Sequence, residues 1–124
     1  MSYQKLNIIT GWLLFVVATV VYYLTLEPTM PFWDCGEFIA SAYKLEVGHP
    51  PGAPFFMLIA HLFASFVSPE KVPFMINMLS AISSAATIMF LHWTITHMAK
   101  KLAELTGELT TGKMWAVLGS GIIG

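Results

Sequence analysis

The feature that most constrains this chain is an uncharged apolar run from Leu6 to Leu26. At about 1.5 Å per helical residue this run is roughly 30 Å long, which matches the hydrocarbon core of a bilayer. A secretory signal peptide is the alternative, but its apolar core has about 7–15 residues and ends at small residues. This run ends at Tyr22 and Tyr23, which are typical of a membrane interface. The sequence therefore predicts a transmembrane helix over residues 6–26.

The composition extends this prediction from the first segment to the whole chain. Hydrophobic residues make up 56% of the sequence and charged residues only 10%, whereas soluble domains carry about 25% charged residues. The net charge is −1, and there is no arginine and no basic cluster, so nucleic acid is not expected as a partner. Cys35 is the only cysteine, which excludes an internal disulfide. We therefore expect an all-α integral membrane protein whose main partner is the lipid bilayer.

Two further apolar segments follow the first span. Residues 72–98 are long enough for a second span, and residues 99–113 form the polar loop after it. Residues 114–124 start a third apolar segment but are too few to cross a bilayer, which takes about 20 residues. The sequence is therefore interpreted as the N-terminal piece of a longer multi-span protein.

Between the two spans lies a loop, residues 27–71, that combines polar groups with shorter apolar segments. Residues 34–47 are predicted to form an amphipathic helix, with Phe38 on its apolar face and Ser41 on its polar face. Residues 54–67 are predicted to form a second helix, which is too short for a span. Helices of this kind lie along the membrane surface, so both are expected to be juxtamembrane.

The distribution of lysines predicts the orientation in the membrane. Loop 27–71 has two lysines against five acidic residues, whereas the other lysines lie before the first span or around loop 99–113. By the positive-inside rule the N-terminus and loop 99–113 are cytoplasmic, and loop 27–71 is extracytoplasmic. This orientation requires that residues 54–67 do not cross the bilayer.

Asp34 and Glu37 are the first candidate functional residues, because they are three positions apart at the start of a predicted helix. One interpretation is structural: Asp34 as N-cap and Glu37 at the third helical position resemble a capping box. The other is catalytic, since a carboxylate in a low-dielectric setting beside lipid has a raised pKa and can act as a general base. The spacing leaves both interpretations open.

His49 and the residues around it form the second candidate group. The segment His49-Pro50-Pro51-Gly52 is either a rigid turn or a turn that holds His49 toward an anionic group. His61 and His92 lie in apolar segments, where packing with a hydrogen-bond partner is the expected role. The histidine spacings match no metal-binding pattern, so no metal ligands are predicted.

The stretch "PFWDCGEFIASAYKLEVGHPPGAPFFMLIAHLF" resembles the N-terminal signature of a family of integral-membrane glycosyltransferases. The matching pattern is W-D-x-G-E-F followed, after a gap, by H-P-P-G-x-P. That family was long catalogued as a domain of unknown function and is common in Bacteroidetes. It is related to the animal transmembrane O-mannosyltransferase and belongs to the GT-C superfamily. The resemblance implies the N-terminal part of a GT-C-type multi-span fold in a bacterial inner membrane.

The resemblance also implies a reaction and roles for individual residues. The donor would be a sugar, mannose or a similar hexose, on a polyprenyl-phosphate carrier, and the acceptor a Ser or Thr hydroxyl of an exported protein. Asp34 stands where this superfamily has its catalytic carboxylate, and Glu37 would assist it. Lys44 and His49, with the Pro50-Pro51-Gly52 turn, would bind the donor phosphate. No cofactor is implied, and a divalent metal is compatible with two acids on one face but is not expected.

A noncatalytic membrane scaffold or transporter subunit, with a structural acidic loop, is the alternative function. A transporter would typically place ionisable groups inside its spans, and the first span has none. Nothing in the sequence identifies the sugar, the acceptor, the length of the carrier or the oligomeric state.

Overall fold

A computed structural model describes residues 2–50 and 52–124 of the chain. These residues form α-helices and one short 3₁₀ helix, Pro69–Lys71, and the described part contains no strand, which confirms the all-α class. Among the described residues two helices are long and apolar enough to cross a membrane: Tyr3–Thr25 and Pro69–Leu105, the second of which includes the 3₁₀ turn. The helices are α1 (Tyr3–Thr25), α2 (Cys35–Lys44), α3 (Pro54–Ala64), α4 (Val72–Leu105) and α5 (Thr111–Ile123).

Helix α2 is shorter than the helix predicted over residues 34–47, because Leu45 adopts a left-handed conformation with φ of 55°. The N–H of Glu46 donates to the carbonyl of Ser41 at 2.9 Å, and the N–H of Leu45 donates to Ala42 at 3.4 Å. This pair of bonds is the Schellman pattern, which closes a helix C-terminus. Glycine usually occupies the left-handed position, so a leucine there gave no sequence signal.

Helix α4 is longer than the predicted span 72–98 and includes the first part of the predicted loop 99–113. Lys100 and Glu104 form an i,i+4 ion pair at 3.4 Å, which supports continued helix through the charged residues. Thr110 then caps α5, its hydroxyl accepting from the N–H of Lys113 at 3.4 Å. Only residues 106–110 separate the two helices.

The chain divides into two compact units, one of which comprises Tyr22–Ser83 and therefore contains α2, α3 and the start of α4. Its core is apolar and is formed by all three helices, and Ala42 and Ala60 are fully buried in it. Ser41, which the sequence analysis places on a polar face, is only 5% exposed. That prediction is wrong because α2 packs against α3 with the face that carries Ile39, Ser41 and Ala42.

His61 links α3 to the end of α2. Its Nδ1 lies 2.9 Å from the carbonyl oxygen of Ala42 and 3.1 Å from that of Tyr43. These carbonyls belong to the last turn of α2, where backbone acceptors lack helical partners. The expected role of His61, packing with a hydrogen-bond partner, is confirmed.

The other unit contains α1 as far as Val21, α4 from Ser84, and α5. In it the Nε1–H of Trp93 donates to the carbonyl of Asn7 at 3.1 Å. His92 is 1% exposed, and neither of its ring nitrogens has a hydrogen-bond partner among the described residues. His92 is therefore buried as expected, but without the expected partner. It packs against Gly121 of α5, where a side chain would not fit.

Candidate functional site

Asp34 occupies the N-cap position of α2 but does not cap the helix with its side chain. The residue has φ and ψ of −75° and −2°, and its carboxylate makes no cap hydrogen bond. An N-cap residue normally has extended dihedral angles, from which the side chain reaches the first free N–H groups. The capping-box interpretation is therefore wrong, and the Asp34 carboxylate is available for another role.

Glu37 also has a partner that the capping-box interpretation does not provide, because both of its oxygens contact His49. Oε1 accepts from the backbone N–H of His49 at 2.8 Å, and Oε2 lies 2.8 Å from the ring nitrogen Nδ1. The two bonds fix both the backbone and the ring of His49 relative to α2. His49 is further held by its own turn, since Gly52, with φ of 68°, donates its N–H to the His49 carbonyl at 3.0 Å.

The second ring nitrogen of His49 faces Asp34, with Nε2 3.8 Å from Oδ2. The three side chains, Asp34, Glu37 and His49, are here called the acidic–histidine cluster. Their side chains are between 42% and 50% exposed, so the cluster is open to a ligand from outside. The ring of Phe38 packs edge-on against His49, with a centroid distance of 6.3 Å.

The contacts inside the cluster favour its charged form. The backbone N–H of His49, and then its ring, lower the pKa of Glu37. In turn, the hydrogen bond to Glu37 and the negative charges of Glu37 and Asp34 raise the pKa of His49 above 6.5. The two carboxylates therefore favour the protonated form of the His49 imidazole.

These three residues are also of the types that bind divalent metals, and one ligand atom from each lies within 4.8 Å of the others. However, both Glu37 oxygens are already used by His49, and the ring, when protonated, balances one of the two carboxylate charges. These contacts make the cluster an ion-pair network.

The remaining residues predicted for the site are placed differently. Lys44 lies at the far end of α2, where its ammonium is 4.0 Å from Glu46 and 63% exposed. The structure thus brings His49, but not Lys44, to the carboxylates. Pro50 and Gly52 belong to the turn after His49, and Pro51 lies outside the described residues.

The pairing of Glu37 with His49 is the main feature that the sequence analysis missed. The two residues are twelve positions apart, so helical spacing does not connect them. The sequence indicates this pairing only weakly. Glu37 is a second acid at the start of the helix, and His49 is the first residue of a proline-rich turn.

Comparison with known proteins gives a family match that starts at Asp34. The family model described as "Protein O-mannosyl-transferase TMEM260 N-terminal domain" matches residues 34–124. Protein O-mannosyl-transferase TMEM260 of Mus musculus is 35% identical over 81 residues, which are 65% of this chain and 12% of that protein. Protein O-mannosyl-transferase tmem260 of Dictyostelium discoideum is 32% identical over 89 residues, 67% of this chain and 10% of the relative. The chain thus spans about a tenth of these curated relatives, and no solved structure matches it.

Proposed function

Because the chain belongs to the family of the protein O-mannosyl-transferase TMEM260 N-terminal domain, we propose that it supplies part of the active site of a membrane glycosyltransferase. The enzyme is of the GT-C type and moves mannose or a similar hexose from a polyprenyl-phosphate carrier to a Ser or Thr hydroxyl of an exported protein. The observation that carries the proposal is the acidic–histidine cluster, in which a carboxylate without a capping role faces the ring of His49.

Asp34 is the general base in this proposal. The acceptor oxygen attacks the anomeric carbon, its proton passes to the Asp34 carboxylate, and the bond from that carbon to the carrier phosphate breaks. The electron pair of the broken bond leaves with the phosphate, which therefore gains negative charge. A cation already positioned at the phosphate stabilises that charge as it develops.

His49 is the cation that the cluster provides for the phosphate. Its Nε2 is 3.8 Å from Asp34 Oδ2, so the ring lies beside the base. The line of attack is longer than this distance, because the acceptor oxygen alone approaches the anomeric carbon to about 3–3.5 Å. In this proposal the acceptor hydroxyl contacts Asp34, and the leaving phosphate contacts the His49 ring from its exposed side. Lys44, whose described ion pair is with Glu46, has no part in this arrangement.

The proposal also includes a location. The lysine distribution supports a cytoplasmic N-terminus and an extracytoplasmic loop 27–71. The resemblance to a family common in Bacteroidetes supports a bacterial inner membrane. Asp34, Glu37 and His49 all lie in that loop, so the reaction takes place on the face of the membrane where exported proteins emerge.

The test of this function is a transfer assay with a panel of donors. The whole protein is reconstituted in membranes with a Ser/Thr-containing acceptor and receives mannose or glucose on polyprenyl phosphate, or as a nucleotide sugar. We expect transfer from a polyprenyl-phosphate sugar and none from a nucleotide sugar. Transfer from the nucleotide sugar alone would contradict the proposed donor, and no transfer from any donor would favour the scaffold alternative.

Glu37 is a positioning residue in this scheme, and its replacement should change the pH dependence. Transfer requires protonated His49, so activity falls as the pH rises through the pKa of that ring. Glu37→Gln weakens the hydrogen bond and removes the negative charge that together raise this pKa, so the alkaline limb of the pH profile should move to lower pH. Asp34 and Phe38, the other groups facing His49, are unchanged in this variant.

A pH profile of kcat/KM for wild type and Glu37→Gln measures this shift. Glu46→Gln removes the same charge from an exposed position outside the cluster and should leave the profile unchanged. If both variants keep the wild-type alkaline limb, His49 is not the titrating group.

A further inference from the structure

A pocket of about 410 Å³ lies between the first turns of α1 and the second half of α4. Both segments belong to the same compact unit of the chain. Small-ligand pockets have volumes of roughly 300–1,000 Å³, so this pocket is large enough to hold a ligand group. Its lining includes Gln4, Asn7 and Ile8 of α1 together with Trp93, His97 and Lys100 of α4. No step of the proposed sugar transfer uses these residues.

Three side chains of the pocket have hydrogen-bond donors that are available to a ligand. Among the described residues, Gln4 and His97 are exposed, and their side chains make no hydrogen bond. Lys100 pairs with Glu104 at 3.4 Å, but its ammonium has three hydrogens and Glu104 does not line the pocket. The ammonium also lies 5.3 Å from the centre of the Tyr3 ring, a cation–π contact that holds it at the pocket. An amide, an imidazole and an ammonium around one space are suitable partners for an anionic oxygen.

The acceptor groups near the pocket do not oppose an anion there. The hydroxyl of Tyr3, another lining residue, donates to the carbonyl of Thr96 at 3.3 Å. The backbone carbonyl of Asn7 accepts from Nε1–H of Trp93 at 3.1 Å. The side-chain oxygen of Asn7 is buried, so it is shielded from a ligand in the pocket. The available polar groups are therefore mainly donors.

The charge around the pocket favours a ligand of net negative charge over a zwitterion. Residues 1–8 and 93–101 contain three lysines, Lys5, Lys100 and Lys101, and no acidic residue. A choline or ethanolamine headgroup would bring a further cation to this region, whereas a glycerol headgroup brings none. Basic residues next to a membrane span attract anionic lipid headgroups for the same electrostatic reason. A phosphate without a compensating cation therefore matches the pocket best.

The pocket also has an apolar part, which a soluble anion would not use. Ile8 follows Gln4 by four positions on α1, and Trp93 precedes His97 by four positions on α4. On both helices an apolar residue thus lies one turn from a polar one, on the same face and toward the apolar middle of the helix. Ile8 is 52% exposed, and tryptophan is typical of the membrane interface. This order of polar and apolar contacts matches a lipid headgroup followed by the start of its acyl chains.

We infer that this pocket binds the headgroup of an anionic phospholipid, phosphatidylglycerol, between α1 and α4. Gln4, His97 and Lys100 contact the phosphate, and the acyl chains begin at Ile8 and Trp93. The site lies outside loop 27–71, so it is separate from the acidic–histidine cluster, and the inference does not rest on the proposed function. It holds on whichever side of the membrane these helix ends emerge.

Photochemical crosslinking tests the inference. The whole protein is placed in phosphatidylcholine nanodiscs that contain a small fraction of phosphatidylglycerol with a diazirine at the start of one acyl chain. Crosslinked peptides are identified by mass spectrometry after irradiation. We expect adducts concentrated on residues 3–8 and 93–100, and a lower yield there from a phosphatidylcholine probe of the same design. Excess inorganic phosphate should leave the yield unchanged, because it lacks the apolar contacts and binds too weakly to displace the lipid.

A pair of neighbouring lysines on α4 provides a matched comparison. Below saturation of the probe, Lys100→Gln should lower the crosslinking yield about tenfold, as expected for the loss of one hydrogen bond to a charged group. Lys101→Gln removes the same charge from a residue that does not line the pocket, and its effect should be much smaller. Gln4→Leu removes a neutral donor from α1 and should also lower the yield. Circular dichroism and gel filtration check that each variant folds.

Three results would overturn the inference. Equal losses of yield from Lys100→Gln and Lys101→Gln would show that general surface charge, and not this pocket, attracts the lipid. Equal yields from the phosphatidylglycerol and phosphatidylcholine probes would show that the pocket does not select an anion. Suppression of crosslinking by inorganic phosphate would make the ligand a soluble anion. None of these measurements uses sugar transfer, so the proposed function is tested separately.

Discussion

Asp34→Asn is expected to lower the rate of sugar transfer by about 10²–10⁴-fold, the usual contribution of a positioned general base. Asparagine keeps the size and shape of the side chain but does not take up the acceptor proton. The Asp34 carboxylate makes no cap hydrogen bond, so the variant should insert and fold as the wild type does. Transfer from a polyprenyl-phosphate sugar is measured at equal expression of the two proteins.

The control for Asp34→Asn removes an equal charge from the same loop. Glu46→Gln breaks an exposed ion pair with Lys44 at 4.0 Å, and such pairs contribute little to stability. Transfer by this variant should equal that of the wild type. Normal transfer by Asp34→Asn would show that Asp34 is not the base. A loss of stability of about 1 kcal/mol with normal transfer is the result that a capping role would give.

Gly121→Ala is expected to destabilise the chain by about 1–3 kcal/mol, the usual cost of overpacking a close contact. A Cβ at this position would lie 2.5 Å from Cγ2 of Thr96 and 2.6 Å from Nδ1 of His92, both of which are buried on α4. The overlap outweighs the gain of about 1 kcal/mol that alanine usually has over glycine within a helix. Unfolding in detergent, followed by circular dichroism, measures the difference.

Gly119 gives a matched control on the same helix. A Cβ there would meet nothing within 4 Å, so Gly119→Ala should be neutral or slightly stabilising through helix propensity alone. The two glycines, which look alike in the sequence "GSG", are therefore expected to differ, since only Gly121→Ala should destabilise the chain. Equal effects from both substitutions would contradict a close contact of α5 with His92 and Thr96.

The apolar helices could be predicted from the sequence because length and absence of charge are local properties. The run from Leu6 to Leu26 corresponds to α1, Tyr3–Thr25. Helix ends were harder to predict because they depend on particular contacts. Leu45 ends α2 in a conformation that is usual for glycine, and the Lys100–Glu104 pair continues α4 beyond the apolar residues.

The candidate site could be predicted only in part. Asp34 and Glu37 could be identified as candidates because acidic residues are rare in this chain and these two are three positions apart. Their real partner, His49, is fixed by the return of the loop onto α2, which residue spacing does not describe. A groove lined by Phe38, Phe56 and Ile76, from α2, α3 and α4, likewise depends on packing rather than on pattern.

The length of α4 has a consequence for how the protein fits its membrane. Its 34 residues make a rod about 51 Å long, against a hydrocarbon thickness of about 30 Å. Tilting would have to exceed about 50° to hide the whole rod, beyond the usual range of 0–40°. The end that carries Lys100, Lys101 and Glu104 must therefore extend as a helix beyond the hydrocarbon core into water. In a thicker bilayer fewer residues at this end would be exposed to water, while the helix itself would stay intact.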